Sequence, residues 1–219
     1  MEGSRANEKR VKLLDFIVKD VQYLAKLIYT VGYFTKTKQA LALIIETSTT
    51  FRRFLRIFES CLISLKILTK QKLSLENLGS YTKLLFNLID HYLLKKNLKS
   101  SDLPSPSTIL IRNFLWLLNC FIGITAGCYK TAKIRQRIQN LRDQNANSKY
   151  SQHKAEYDQL KAKDERLTYK IISHTFDMPL AIYSCSKSSF SPAFVSIMGL
   201  ISASLSYWCH SRKYNLDSI

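Results

Sequence analysis

The stretch Ser48–Leu68, STTFRRFLRIFESCLISLKIL, holds neither Gly nor Pro and reads as one unbroken helix. At 100° per residue, Phe51, Phe54, Leu55, Phe58, Leu62 and Leu65 share one face, while Arg52, Arg53 and Arg56 fall on the opposite one. Such a helix suits two settings. It packs half-buried in a bundle, or it lies flat in a membrane surface. The rest of the chain has to choose between them.

The composition narrows the choice. Over 219 residues, 33 Lys and Arg stand against 16 Asp and Glu, a net charge of +17. A surplus of that size calls for an anionic partner or surface, and nucleic acid and acidic lipid are the common ones. With only six Gly and four Pro, the chain is poor in turns and favours long helices. Five cysteines (Cys61, Cys120, Cys128, Cys185 and Cys209) stand singly, with no C-x-x-C. Their odd number argues against a disulfide framework and for a reducing compartment. No secretory leader is expected, because MEGSRANEKR has no charge-free apolar run behind it.

Three amphipathic helices are expected in the basic region 1–98. In the first, residues 9–34, Leu14, Ile17, Val18, Val21, Leu24, Ile28 and Val31 recur at steps of three and four. Lys12, Asp15, Lys19, Gln22 and Lys26 follow the same period on the other side. The second runs from about Lys38 to Lys70. The third, Ser80–Leu98, carries Tyr81, Leu84, Leu85, Leu88 and Tyr92.

At 99–108 the composition changes to a Ser/Pro linker, KSSDLPSPS. Residues 109–129 follow as a membrane helix. Its charge-free core, Asn113–Tyr129, spans roughly 25 Å, and a snorkelling Arg112 extends it to about the ~30 Å of a hydrocarbon core. Residues 130–187 are a charged, helical connection with a break at QNANS. A second membrane segment, 188–211, is richer in serine, and a short tail, 212–219, closes the chain. Gly123 and Gly127 form G-x-x-x-G, and Gly199/Ala203 and Ser202/Ser206 are small pairs four apart. This is the spacing at which membrane helices approach closely, so Gly123, Gly127, Gly199 and Ala203 are expected helix–helix contacts.

Catalytic and metal motifs are missing from the sequence. There is no G-x-G-x-x-G, Walker loop or G-x-S-x-G, and His91, His153, His174 and His210 lack partners at ligand spacing. Asp90 and His91 are adjacent, which on a helix points them about 100° apart, so Asp90 reads as a helix-surface residue. No enzyme, metal or cofactor is expected. Nucleic acid is also disfavoured. The Arg52–Arg56 face offers phosphate contacts without base-reading groups, and the two apolar segments would have no role.

An acidic phospholipid membrane therefore fits the arginine helix best. Three arginines near such a surface contribute about 3 kcal/mol at about 1 each. Six large apolar side chains at ~1.5 kcal/mol or more, even half inserted, exceed that. Burial would provide the adhesion and the arginines the lipid preference. A shallow wedge of this kind expands one leaflet and favours curvature.

STTFRRFLRIFESC also resembles the Arg-Lys-x-x-Arg helix of the peroxin-11 family of peroxisomal membrane proteins. VQYLAKLIYTVGYF, LLFNLIDHYLLKKNL and HTFDMPLAIYSCSKSSFSPAFVSIMGLISASLSYW resemble further segments of that family, in the family's order. Two departures stand out: the leading Gly-Arg-Asp-Lys signature is degraded to ANEKR, and Arg53 replaces a frequent Lys. The resemblance implies a peroxisomal membrane location and a role in peroxisome elongation and division. It also implies self-association and recruitment of a fission adaptor and a dynamin-related GTPase.

By position, the resemblance implicates Arg52, Arg53 and Arg56 as the headgroup face and Phe51, Phe54, Leu55, Phe58 and Leu62 as the inserted face. Lys12, Lys19 and Lys26 of the first helix join the headgroup set. The expected fold is an all-α integral membrane protein with amphipathic N-terminal helices and two hydrophobic membrane segments. The alternative function is a pore for small metabolites.

Overall fold

The computed structural model describes residues 2–32, 35–69, 75–99, 105–146, 154–186 and 190–216, and every regular element among them is α-helix. The elements are α1 (Glu2–Val31), α2 (Thr35–Thr69), α3 (Leu75–Lys99), α4 (Pro106–Ala146), α5 (Lys154–Ser186) and α6 (Pro192–Leu216). Most of the Ser/Pro linker (100–104), the QNANS break beyond Ala146 and the last tail residues (217–219) lie outside the described residues. α4 passes through the expected end of the membrane helix at 129 without interruption. The charged connection is therefore the far half of α4 followed by α5.

Among the described residues, each helix packs on its chain neighbours and α6 packs back on α1, with no contact across the middle. Six helices thus close a ring. Side-chain pairs give its register. Gln22 meets Thr49 and Asp15 meets Arg52, so α1 and α2 run antiparallel. Glu59–Lys83 and Arg56–Asp90 order α2 against α3, and Asp90–Arg112 with Gly79 against Ile122 order α3 against α4. Asn113–Ser184 and Arg135–Asp164 do the same for α4 and α5, and Ser173–Ser206 and Asp177–Ser202 for α5 and α6. Lys19–Ser202 and Phe16–His210 close α6 on α1, again antiparallel.

The sorting of side chains is inverted relative to a water-soluble bundle. The outside carries Leu14, Ile17, Val21, Leu24 and Ile28 of α1, Phe51, Phe54 and Phe58 of α2, and Leu85, Leu88 and Tyr92 of α3, all exposed. The fully buried side chains include Asn87, Asp90 and Ser202. Water would penalise an apolar belt of this extent, whereas a hydrocarbon surround solvates it. Two helices are long and apolar enough to cross a membrane, Pro106–Asp143 and Pro192–Ser211.

Small residues set the closest approaches. A Cβ on Gly123 would lie 2.7 Å from the His174 ring, and one on Gly127 2.6 Å from Ile171, so α4 and α5 touch through their glycines. A Cβ on Gly199 would overlap the Tyr23 ring, and Ala203 is fully buried. The first pair draws α4 against α5, and the second draws α6 against α1.

Candidate functional site

The polar stripes that the sequence places opposite the apolar ones all face the middle of the ring. They line a cavity of about 770 Å³ to which every helix contributes. Eleven Lys and Arg line it against four Asp and Glu. Each acid is held by at least one of these cations. Arg52 Nε lies 3.0 Å from Asp15, Lys83 Nζ 2.5 Å from Glu59 and Lys19 Nζ 3.0 Å from Asp177.

Asp90 holds three. Arg53 approaches it at 3.6 Å, Arg112 at 3.3 Å and Arg56 through a short ion pair, so one carboxylate ties α2, α3 and α4 together. It is fully buried rather than on a helix surface. Sequence reasoning missed this because its partners come from two other helices, and spacing within α3 carries no sign of them.

The three arginines lie inside the ring rather than at an outer headgroup face. Their side chains are 12%, 16% and 18% exposed for Arg52, Arg53 and Arg56. The physical reason is the location of the carboxylates. Asp15 and Asp90 face inward, and a guanidinium turned outward would leave them for an apolar belt at a cost of several kcal/mol. Lys12 and Lys19 line the same cavity, and Lys26 stands over the Tyr23 ring at 5.0 Å. Of the expected inserted face, Phe51, Phe54 and Phe58 are exposed on the outside, Leu62 is half-buried and Leu55 is buried.

Two polar features complete the interior. On one side, Ser202 donates to Asp177 at 2.6 Å and accepts from Lys19 at 3.1 Å, while Ser173 reaches Ser206 at 2.6 Å. Serines that read from sequence as small packing residues therefore also form a hydrogen-bonded clasp joining α1, α5 and α6. Beside it, Cys120, His174 and Asp177 come together with their ligand atoms within 4.8 Å of one another. They sit on α4 and α5, far apart in sequence, which is why no ligand spacing announces them. The Lys19 ammonium on Asp177 already supplies a positive charge there. On the opposite wall, Asn87 is fully buried one helical turn before Asp90, and neither its amide nitrogen nor its amide oxygen has a hydrogen-bond partner.

Beyond the ring, α4 and α5 continue as an antiparallel pair that buries Ile134 and Leu141 and carries ion pairs along its edge. Arg135 lies 3.1 Å from Asp164 and Arg137 2.7 Å from Glu156. Pairs whose arginine is this exposed contribute about 0–1 kcal/mol each.

A family model described as Peroxisomal biogenesis factor 11 (PEX11) matches residues 7–209 of the chain. No curated protein and no solved structure matches it.

Proposed function

The chain belongs to the Peroxisomal biogenesis factor 11 family, and from that we propose that it inserts into the peroxisomal membrane and promotes its elongation and division, without catalysing a reaction. The observation that carries this reading is the apolar outer belt of the ring, with Phe51, Phe54 and Phe58 of α2 and the leucine and isoleucine stripe of α1 exposed. Buried in lipid, these seven side chains (Phe51, Phe54, Phe58, Leu14, Ile17, Leu24 and Ile28) at ~1.5 kcal/mol or more each hold the ring in place. The α4–α5 extension beyond the ring adds bulk on one side of the bilayer only, and unequal area in the two leaflets bends a membrane. Self-association, and recruitment of a fission adaptor and a dynamin-related GTPase, belong to the same reading.

The test is reconstitution of the full chain into liposomes rich in acidic lipid, imaged by electron microscopy beside a variant with Phe51, Phe54 and Phe58 changed to Ser. Tubules from the parent and spheres from the variant are expected. Spheres from a parent that has demonstrably inserted would overturn the reading. A second reading, a path for small metabolites, is favoured by one feature, the polar cavity lined by all six helices. Release of an entrapped anionic dye from the same liposomes measures it directly.

A further inference from the structure

We propose that the interior of the ring is a binding site for a small molecule bearing a phosphate group, held by Arg53, Arg56 and Arg112 with Lys26 and Asn87. The inference rests on the ring itself, and neither remodelling nor permeation is needed for it.

Charge comes first. Eleven cationic side chains against four acids leave a surplus of seven positive charges around a cavity of about 770 Å³. Each of the four lining acids is engaged by at least one of these cations, so the lining as a whole keeps its positive excess. Charges of one sign around a common cavity repel one another, and an entering anion relieves them.

The kinds of donor then specify the anion. Three guanidiniums converge on the single carboxylate of Asp90. A carboxylate accepts one bidentate fork well and cannot occupy every N–H of three, although Arg112 also gives its Nε and one terminal nitrogen to Asn113. Lys26 lines the cavity over the Tyr23 ring and makes no ion pair with an acid among the described residues. The Asn87 amide, fully buried on the cavity wall without a partner, adds a neutral donor and acceptor at the same level as Asp90.

A monocarboxylate has two oxygens to offer this set. A terminal phosphate has three and carries up to two charges, which matches several planar forks at once. The volume also falls within the range of pockets for small molecules, roughly 300–1,000 Å³. Phosphate of this kind reaches the site from two sources, a soluble phosphate compound or the headgroup of a phosphorylated lipid.

The experiment is thermal unfolding of the full chain in neutral detergent, followed by circular dichroism at constant ionic strength. One arm titrates inorganic pyrophosphate and a second a short-chain phosphatidylinositol phosphate, with sodium chloride as the control. A saturable rise in unfolding temperature with either probe is expected, and the arm that gives it identifies the source. Lys26→Gln removes a charge that no acid depends on. It should weaken that binding by about tenfold with the unfolding temperature in chloride unchanged, the loss of one charged hydrogen bond. Arg137→Gln, on the exposed extension, should bind as the parent does. No saturable rise with either probe in a folded sample, or equal affinity in Lys26→Gln, overturns the proposal. Neither result bears on tubulation or dye release, which are read in liposomes.

Discussion

At the scale of single residues, Asp90 carries more of this structure than any of the arginines around it. One carboxylate satisfies parts of three guanidiniums, and removing it takes a shared acidic partner from all three at once. Breaking a buried pair from one side costs about 3–5 kcal/mol, because the remaining charge keeps its desolvation penalty. Asp90→Asn, nearly isosteric, is expected to lower stability by about 3 kcal/mol or more, measured as an earlier thermal unfolding of the detergent-solubilised chain. Glu59→Gln serves as the comparison. Its partner Lys83 has a 41% exposed side chain and can return to water, so its loss is expected to cost well under half as much. Equal effects from the two substitutions would remove Asp90 from its central place.

At the scale of helices, the sequence and the structure part at an instructive point. Periodicity alone finds the two faces of α1, α2 and α3, because an alternation at 3.6 residues is a property of each segment by itself. It does not say which face turns inward. An apolar stripe fits a dry core and a lipid surround equally well, and a basic stripe fits water, headgroups or a polar interior. The arginines of α2 were legible as a face and not as a destination, since the acids that receive Arg53 and Arg56 lie on α3 and the one that receives Arg52 on α1.

Small-residue spacing was more informative. It marked Gly123, Gly127, Gly199 and Ala203; a Cβ on the first two would meet α5 and one on Gly199 would meet α1, while Ala203 is fully buried. Gly127 is the cleanest test. A valine there meets Ile171, the α4–α5 contact has no flexible end to yield, and overpacking of this type costs about 1–3 kcal/mol. Gly127→Val is expected to unfold earlier by that amount. Gly79→Ala, where the added carbon sits 3.2 Å from the Ile122 side chain, is expected to change little. A Gly127→Val chain as stable as the parent would mean that α4 and α5 are not held at this distance.

At the scale of the whole molecule, an even number of antiparallel helices in a closed ring fixes where the ends go. α1 begins, α6 ends and the α4–α5 connection turns at the same end of the ring, while the α1–α2, α3–α4 and α5–α6 connections are at the other. The basic extension of α4 and α5 therefore shares an end of the ring with the start of α1 and the end of α6. Two spanning segments alone would set residues 130–170 across the membrane from the basic N-terminal region, against the preference of Lys and Arg for one side. A ring in which all six helices crossed would return them to the same side.

This topology is testable in proteoliposomes with cysteine-free chains carrying one new cysteine, probed with a membrane-impermeant maleimide. Asn140→Cys, exposed on the extension, should react from the side on which an N-terminal tag is accessible. Ser107→Cys, exposed at the start of α4, should react only from the opposite side. If both positions react from the tagged side, the ring does not cross the bilayer, and its apolar belt must be covered by something other than lipid.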